Sequence, residues 1–159
     1  MIRASVATWP LVNTDLSVLE KDLTTLMPHR APMLLLDRLE SFSHEGARGV
    51  VDICEGNPFL RSDGVLERVA YAEILAQCFA AGAGALQSQS GQKAATLGYL
   101  AALRDIAVHA DAKLGQRLVA EVRVAARLGG VTVVDGEVRA NGLLLASGQF
   151  KVFIPQEEI

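Results

Sequence analysis

Apolar residues recur along the chain at two spacings. Near the start, Leu16, Leu19, Leu23 and Leu26 fall three and four apart, which is one face of a helix. Ser17 and Glu20 have the spacing of a capping box. A short helix is therefore predicted over 16–26, ending before Pro28, because the residue ahead of a proline is pushed out of the helical region. Residues 33–42 and 49–54 read as strands with a turn at Glu45-Gly46, and residues 57–64, rich in turn formers, read as a loop. Residues 66–86 are apolar or small at almost every position. A helix that is apolar all round must be surrounded by protein. Because the run contains Glu73 and Gln77 and is mostly Ala and Gly, a buried helix is expected rather than a membrane span.

From residue 97 onward the period changes to two. Leu118, Ala120, Val122, Val124, Ala126 and Leu128 share one face of a strand, with Arg117, Glu121, Arg123 and Arg127 on the other. Gly129-Gly130 turns the chain, and strands over 131–140 and 143–154 follow, joined by Asn141-Gly142, a strong type I′ hairpin signal. Residues 97–109 make a further strand ahead of this meander. No internal repeat or linker divides the chain, so residues 1–12 read as a poorly ordered lead-in and 13–159 as one domain. The class is α+β: a mostly antiparallel curved sheet wrapped around one long central helix, the arrangement called a hotdog fold. Periodicity supplies the elements, and the apolarity of the helix supplies the wrapping.

Composition narrows the function. Half of the 159 residues are hydrophobic and 21% are charged, enough to bury a core without disulfide or metal. Fifteen basic and eighteen acidic side chains give a net charge of −3, which weighs against nucleic acid as a partner. Cys54 and Cys78 form no zinc-ligand spacing and read as free thiols of a reducing compartment. Asn13 and Asp15 interrupt any signal-peptide core, so a cytoplasmic chain without membrane contact is expected.

Two residues stand out as candidate chemistry. Glu73 lies within the apolar helix, where burial would raise its pKa and suit it to hold and then release a proton near neutral pH. The plainer alternative is a narrow exposed stripe shared with Gln77, which is one turn later and placed to orient the carboxyl group. His29 is bracketed by Pro28 and Pro32, which stiffen its backbone; it is a candidate base or a structural histidine. His44 and His109 read as surface residues. Gly82 and Gly84 lack the strand and lysine of a phosphate loop, so they serve close packing or the helix end. Cys78 reads as a small core filler, and no nucleophile elbow is present.

Residues 26–38, Leu-Met-Pro-His-Arg-Ala-Pro-Met-Leu-Leu-Leu-Asp-Arg, resemble the L-x-PHR-x-P-hydrophobic-LL-x-DR signature of the β-hydroxyacyl-acyl carrier protein dehydratases. Glu73-Ile-Leu-Ala-Gln77 is similar to that family's central-helix segment, and the likeness extends loosely over 24–154. The segment ahead of the helix departs from the main fatty-acid branch and looks more like the divergent dehydratases of aryl-polyene and related clusters. The resemblance implies a hotdog fold, a homodimer or higher homo-oligomer, and a site at the dimer interface with histidine and glutamate from opposite subunits. It makes His29 the base and Glu73 the acid in removing water from a 3-hydroxyacyl thioester to give a trans-2-enoyl thioester. The backbone N–H of Arg68 or Val69 is expected to hold the thioester carbonyl in place of the family's usual glycine. No metal or other cofactor is implied; the acyl chain arrives on the phosphopantetheine of acyl carrier protein. Arg30, Arg61, Arg68, Lys93 and Arg104 are candidates for a basic rim facing that acidic carrier. Two alternatives stay open: a hotdog acyl-thioester hydrolase, and a non-catalytic hotdog subunit that binds acyl carrier protein or caps a partner dehydratase.

Overall fold

A computed structural model describes residues 16–91 and 98–155. The lead-in expected over 1–12 lies outside the described residues, as does Lys93. The order of elements is α1 (Leu16–Leu19), α2 (Leu23–Leu26), β1 (Arg38–Ser43), β2 (Gly46–Asp52), α3 (Ala70–Gln89), β3 (Tyr99–Val108), β4 (Arg117–Leu128), β5 (Val131–Ala140) and β6 (Leu143–Phe153). The six strands form one sheet in the order β1-β2-β4-β5-β6-β3, and every pairing is antiparallel. α3 packs against β1, β2, β4 and β5, so the expected hotdog arrangement is the observed one.

The core lies between α3 and the concave face of the sheet. Tyr71, Ile74, Leu75 and Cys78 of the helix meet Phe42, Val51, Leu118, Val134 and Phe150 of the strands, all buried. β4 shows why alternation predicts its face: Leu118, Ala120 and Val122 are buried, Val119 and Glu121 between them are only half-buried, and Arg117 and Arg123 on either side are exposed. Asn141 and Gly142 both have positive φ, 49° and 80°, as the type I′ turn between β5 and β6 requires. The glycines of α3 serve close packing. A Cβ on Gly84 would overlap the carbonyl oxygen of Leu26, and one on Gly82 would overlap Ala47 of β2.

Three expectations need correction. The predicted helix over 16–26 is two single turns, because Asp22 caps a new start: its Oδ1 accepts from the Thr24 amide at 2.8 Å. The first strand begins at Arg38 rather than Met33, since the Leu35 and Leu36 amides donate to the Gln77 side chain and not to a neighbouring strand. The long helix begins at Ala70 rather than Leu66, because the Leu66 and Glu67 amides are taken by the carbonyls of Ala112 and Phe59. No helix among the described residues is long and apolar enough to cross a membrane.

Candidate active site

Glu73 lies in the first turn of α3. His29 reaches it by a constrained path. α2 sits directly on α3 because Gly84 has no side chain to hold the Leu26 carbonyl away. Leu26 and Met27 are buried there, and Pro28 then carries the chain across the helix. Arg30 closes the loop from outside, its Nη1 donating to the carbonyls of Met27 at 3.0 Å and His29 at 2.8 Å. The result places His29 Nε2 3.5 Å from Glu73 Oε1.

Gln77 fixes the other side. It is fully buried, and its amide is used at both ends. Nε2 donates to Glu73 Oε1 at 2.7 Å and to the Met33 carbonyl at 2.6 Å. Oε1 accepts from the amides of Leu35 at 2.8 Å and Leu36 at 3.2 Å. One side chain thus holds the candidate acid and also the strand of backbone that leaves His29. Among the described residues no group bonds His29 Nδ1, although that atom is buried, and a polar atom kept in that costly state calls for a functional explanation.

A cavity of about 300 Å³ opens beside the pair. Along α3 its wall is Glu73, Ala76, Ala80, Ala83 and Gln87, which are three and four apart and therefore one helical stripe. Tyr99, Leu100 and Ile154 face that stripe from the sheet. The site is an imidazole and a carboxyl group at one end of an apolar trough, an arrangement suited to moving two protons on one bound molecule.

The sequence-based expectations meet this geometry unevenly. The sequence leaves Glu73 either inside an apolar shell or on a narrow exposed stripe shared with Gln77. Gln77 is buried, whereas the Glu73 side chain keeps 28% exposure and that of His29 keeps 29%, because this stripe of α3 faces the cavity rather than the sheet. The resemblance implied a histidine and a glutamate from opposite subunits; the loop and helix of a single chain bring them together here. Arg68 and Val69 do not line the cavity. The Arg68 guanidinium pairs with Asp111 at 3.2 Å, and Val69 caps α3 without a side-chain bond, so the expected amide donor is not on the cavity wall of this protomer. Arg61 is likewise paired, with Asp63.

Other groups near the helix are structural. The Tyr71 hydroxyl accepts from the Ala112 amide at 2.9 Å and donates to the Ala110 carbonyl at 3.1 Å, tying the start of α3 to the loop before β4. Burial pushes its pKa above the usual phenol range despite the Ala112 hydrogen bond, so it stays a donor. Burial also pushes the Cys78 thiol far up, as fits a core filler. His44 and His109 are exposed. No group of three or more His, Cys, Asp or Glu placed to hold a metal occurs among the described residues. Sequence reasoning missed the cavity walls supplied by Ala76, Phe79 and Tyr99. The spacing of 73, 76, 80, 83 and 87 was the available signal, hidden because every residue between except Gln77 is apolar or small too.

Residues 21–159 match the ApeP-like family, described as ApeP dehydratase. A 3-hydroxyacyl-acyl-carrier-protein dehydratase FabZ from Streptococcus equi subsp. zooepidemicus is 26% identical over 128 residues, covering 80% of this chain and 91% of the relative. Among solved structures, the dehydratase heterocomplex ApeI:P from Xenorhabdus doucetiae contains a chain similar at a TM-score of 0.79 and 22% identity, covering 86% of this chain and 93% of that one. A hypothetical thioesterase from Streptococcus pneumoniae, solved with coenzyme A, shares the fold at a TM-score of 0.59 and 13% identity, covering 76% and 87%.

Proposed function

Because the chain belongs to the ApeP-like dehydratase family, we propose that it is a 3-hydroxyacyl-acyl carrier protein dehydratase with His29 as base and Glu73 as acid. The observation that carries this reading is the 3.5 Å approach of His29 Nε2 to Glu73 Oε1 at one end of an apolar cavity. The acyl chain lies along the alanine stripe of α3, and the thioester reaches the site on the phosphopantetheine of an acyl carrier protein. His29 Nε2 takes the α-proton, the electron pair moves toward the thioester carbonyl, and the bond from the β-carbon to the hydroxyl oxygen breaks. Glu73 gives its proton to that oxygen, and water leaves. Gln77 and His29 both face Oε1, so Oε2 is the oxygen that meets the hydroxyl. Afterwards His29 holds a proton and Glu73 has lost one; their separation allows its return. These transfers call for no metal and no redox cofactor.

General acid–base groups are each worth about 10²–10⁴-fold in rate. The test runs the reaction backwards, offering a crotonyl carrier thioester and following both hydration and thiol release. We expect hydration without thiol release, reduced at least ~10²-fold in His29→Ala and in Glu73→Gln. Wild-type rates in both variants would refute the assignment. Thiol release alone would favour the hydrolase, a reading that makes no use of the stiff Pro28–Pro32 segment. No turnover with tight carrier binding would favour the non-catalytic subunit.

The reading also includes a second hotdog subunit on the free edge of β3, taken as another copy of this chain. The similar solved chain comes from a complex named as a heterocomplex, so a different hotdog subunit on that edge is the competing case. Mixing experiments with tagged copies distinguish them.

A further inference from the structure

The candidate base sits on a stretch of chain with little backbone support. Residues 27–37 belong to no helix or strand. Pro28 and Pro32 bring no N–H to it. Side chains fix it instead, from two sides. From the helix, Gln77 Nε2 donates to the Met33 carbonyl at 2.6 Å. From the solvent side a single atom, Arg30 Nη1, donates to the Met27 carbonyl at 3.0 Å and to the carbonyl of His29 itself at 2.8 Å. That nitrogen carries two hydrogens in one rigid plane, one for each carbonyl. The Arg30 carbonyl accepts from the Leu34 amide at 3.0 Å, which holds the backbone of Arg30 as well. The two clamps differ in burial. Gln77 is fully buried, whereas Arg30 is exposed, so water can replace its donors when the side chain is removed.

Resting on the dehydratase reading above, we propose that Arg30 is a positioning residue for the base: its guanidinium ties the His29 backbone to the end of α2 and so keeps the imidazole aimed at Glu73. The role is separate from fold stability, because the side chain is exposed. It is also separate from carrier docking, because the donors of Nη1 are spent on the protein's own carbonyls. A base displaced by about 1 Å can cost on the order of 10²-fold in rate, so a loosened carbonyl pair is enough to be felt in kcat.

The test follows hydration of crotonyl thioesters of both acyl carrier protein and free pantetheine, with the full chain in its assembled state. For Arg30→Ala we expect kcat to fall at least ~10-fold with both substrates while KM is unchanged. The melting temperature should stay within about 4 °C of wild type. Millimolar guanidinium ion restores part of the lost kcat, and sodium ion at the same ionic strength does not. Arg30→Lys, whose ammonium lacks the planar fork, falls between wild type and Arg30→Ala. Wild-type kcat in Arg30→Ala overturns the proposal. So does a rise in KM confined to the carrier-bound substrate, which would make Arg30 part of a docking rim. A kcat that falls only together with a much lower melting temperature, and that guanidinium ion does not restore, overturns it too. A wild-type protein that hydrates neither thioester would sink the dehydratase reading, whereas equal activity in wild type and Arg30→Ala would sink the positioning role alone.

Discussion

Gln77 is the residue through which the candidate site and the fold depend on each other. Its carboxamide bonds Glu73, Met33, Leu35 and Leu36 at once, from a fully buried position. A leucine of similar size would leave two amides and a carbonyl without partners inside the protein. Each such group costs about 1–3 kcal/mol. For Gln77→Leu we expect a loss of roughly 3–5 kcal/mol in urea unfolding. Hydration of crotonyl thioester should also fall at least ~10-fold in protein still folded, since a misplaced base is costly. A stable variant with full activity would refute the positioning role. At this scale the sequence carried much: His29 and Glu73 were marked by their surroundings, and Gln77 by its place one turn on. Their contact was not legible, because forty-four positions separate the pair and the path between them depends on Gly84 and on backbone hydrogen bonds that no local pattern encodes.

The packing of α2 on α3 decides where His29 goes. In an ordinary helix interior, alanine is better than glycine by about 1 kcal/mol. At Gly84 the added methyl would overlap the Leu26 carbonyl, a backbone atom with no rotamer to escape through. α2 must then lift, and overpacking of this kind costs about 1–3 kcal/mol. Gly84→Ala should therefore lower the melting temperature despite its better helix propensity, and kcat should fall as His29 moves off Glu73; calorimetry beside the hydration assay checks both. A higher melting temperature would show that α2 does not rest on this glycine. Legibility at the scale of elements follows the same logic. β4, β5 and β6 were readable because a half-buried strand alternates and because Asn141-Gly142 marks its own turn. The edges of α3 and β1 were not, since the amides of Leu66 and Leu35 are bonded to distant partners. Hydrophobicity alone assigned both stretches to the regular element beside them.

For the whole molecule, the outer strand β3 poses the remaining problem. Among the described residues it pairs with β6 on one side only. Leu103 lies opposite Phe150 and so shares the face that elsewhere packs on the helix, yet Tyr99, Leu100 and Leu103 are each about half exposed. An uncovered apolar edge strand invites pairing with another chain. Tyr99 and Leu100 also line the cavity, so a subunit docked here would wall the acyl path. The register shifts between Leu100 and Ala102 and again between Arg104 and Ala107, with Asp105 at a φ of 52°, which leaves Ala102 to Arg104 as the regular stretch around Leu103. Leu103→Arg places a charge in the middle of that stretch without touching the core of the protomer. In sedimentation we expect dimers for the wild type and folded monomers for Leu103→Arg, with unchanged far-ultraviolet circular dichroism. Hydration of octenoyl thioester should fall more than that of crotonyl thioester, because the longer chain uses more of the wall that the partner completes. A dimeric Leu103→Arg would move the interface elsewhere, and a wild-type monomer with full activity would show that one protomer holds everything the reaction needs.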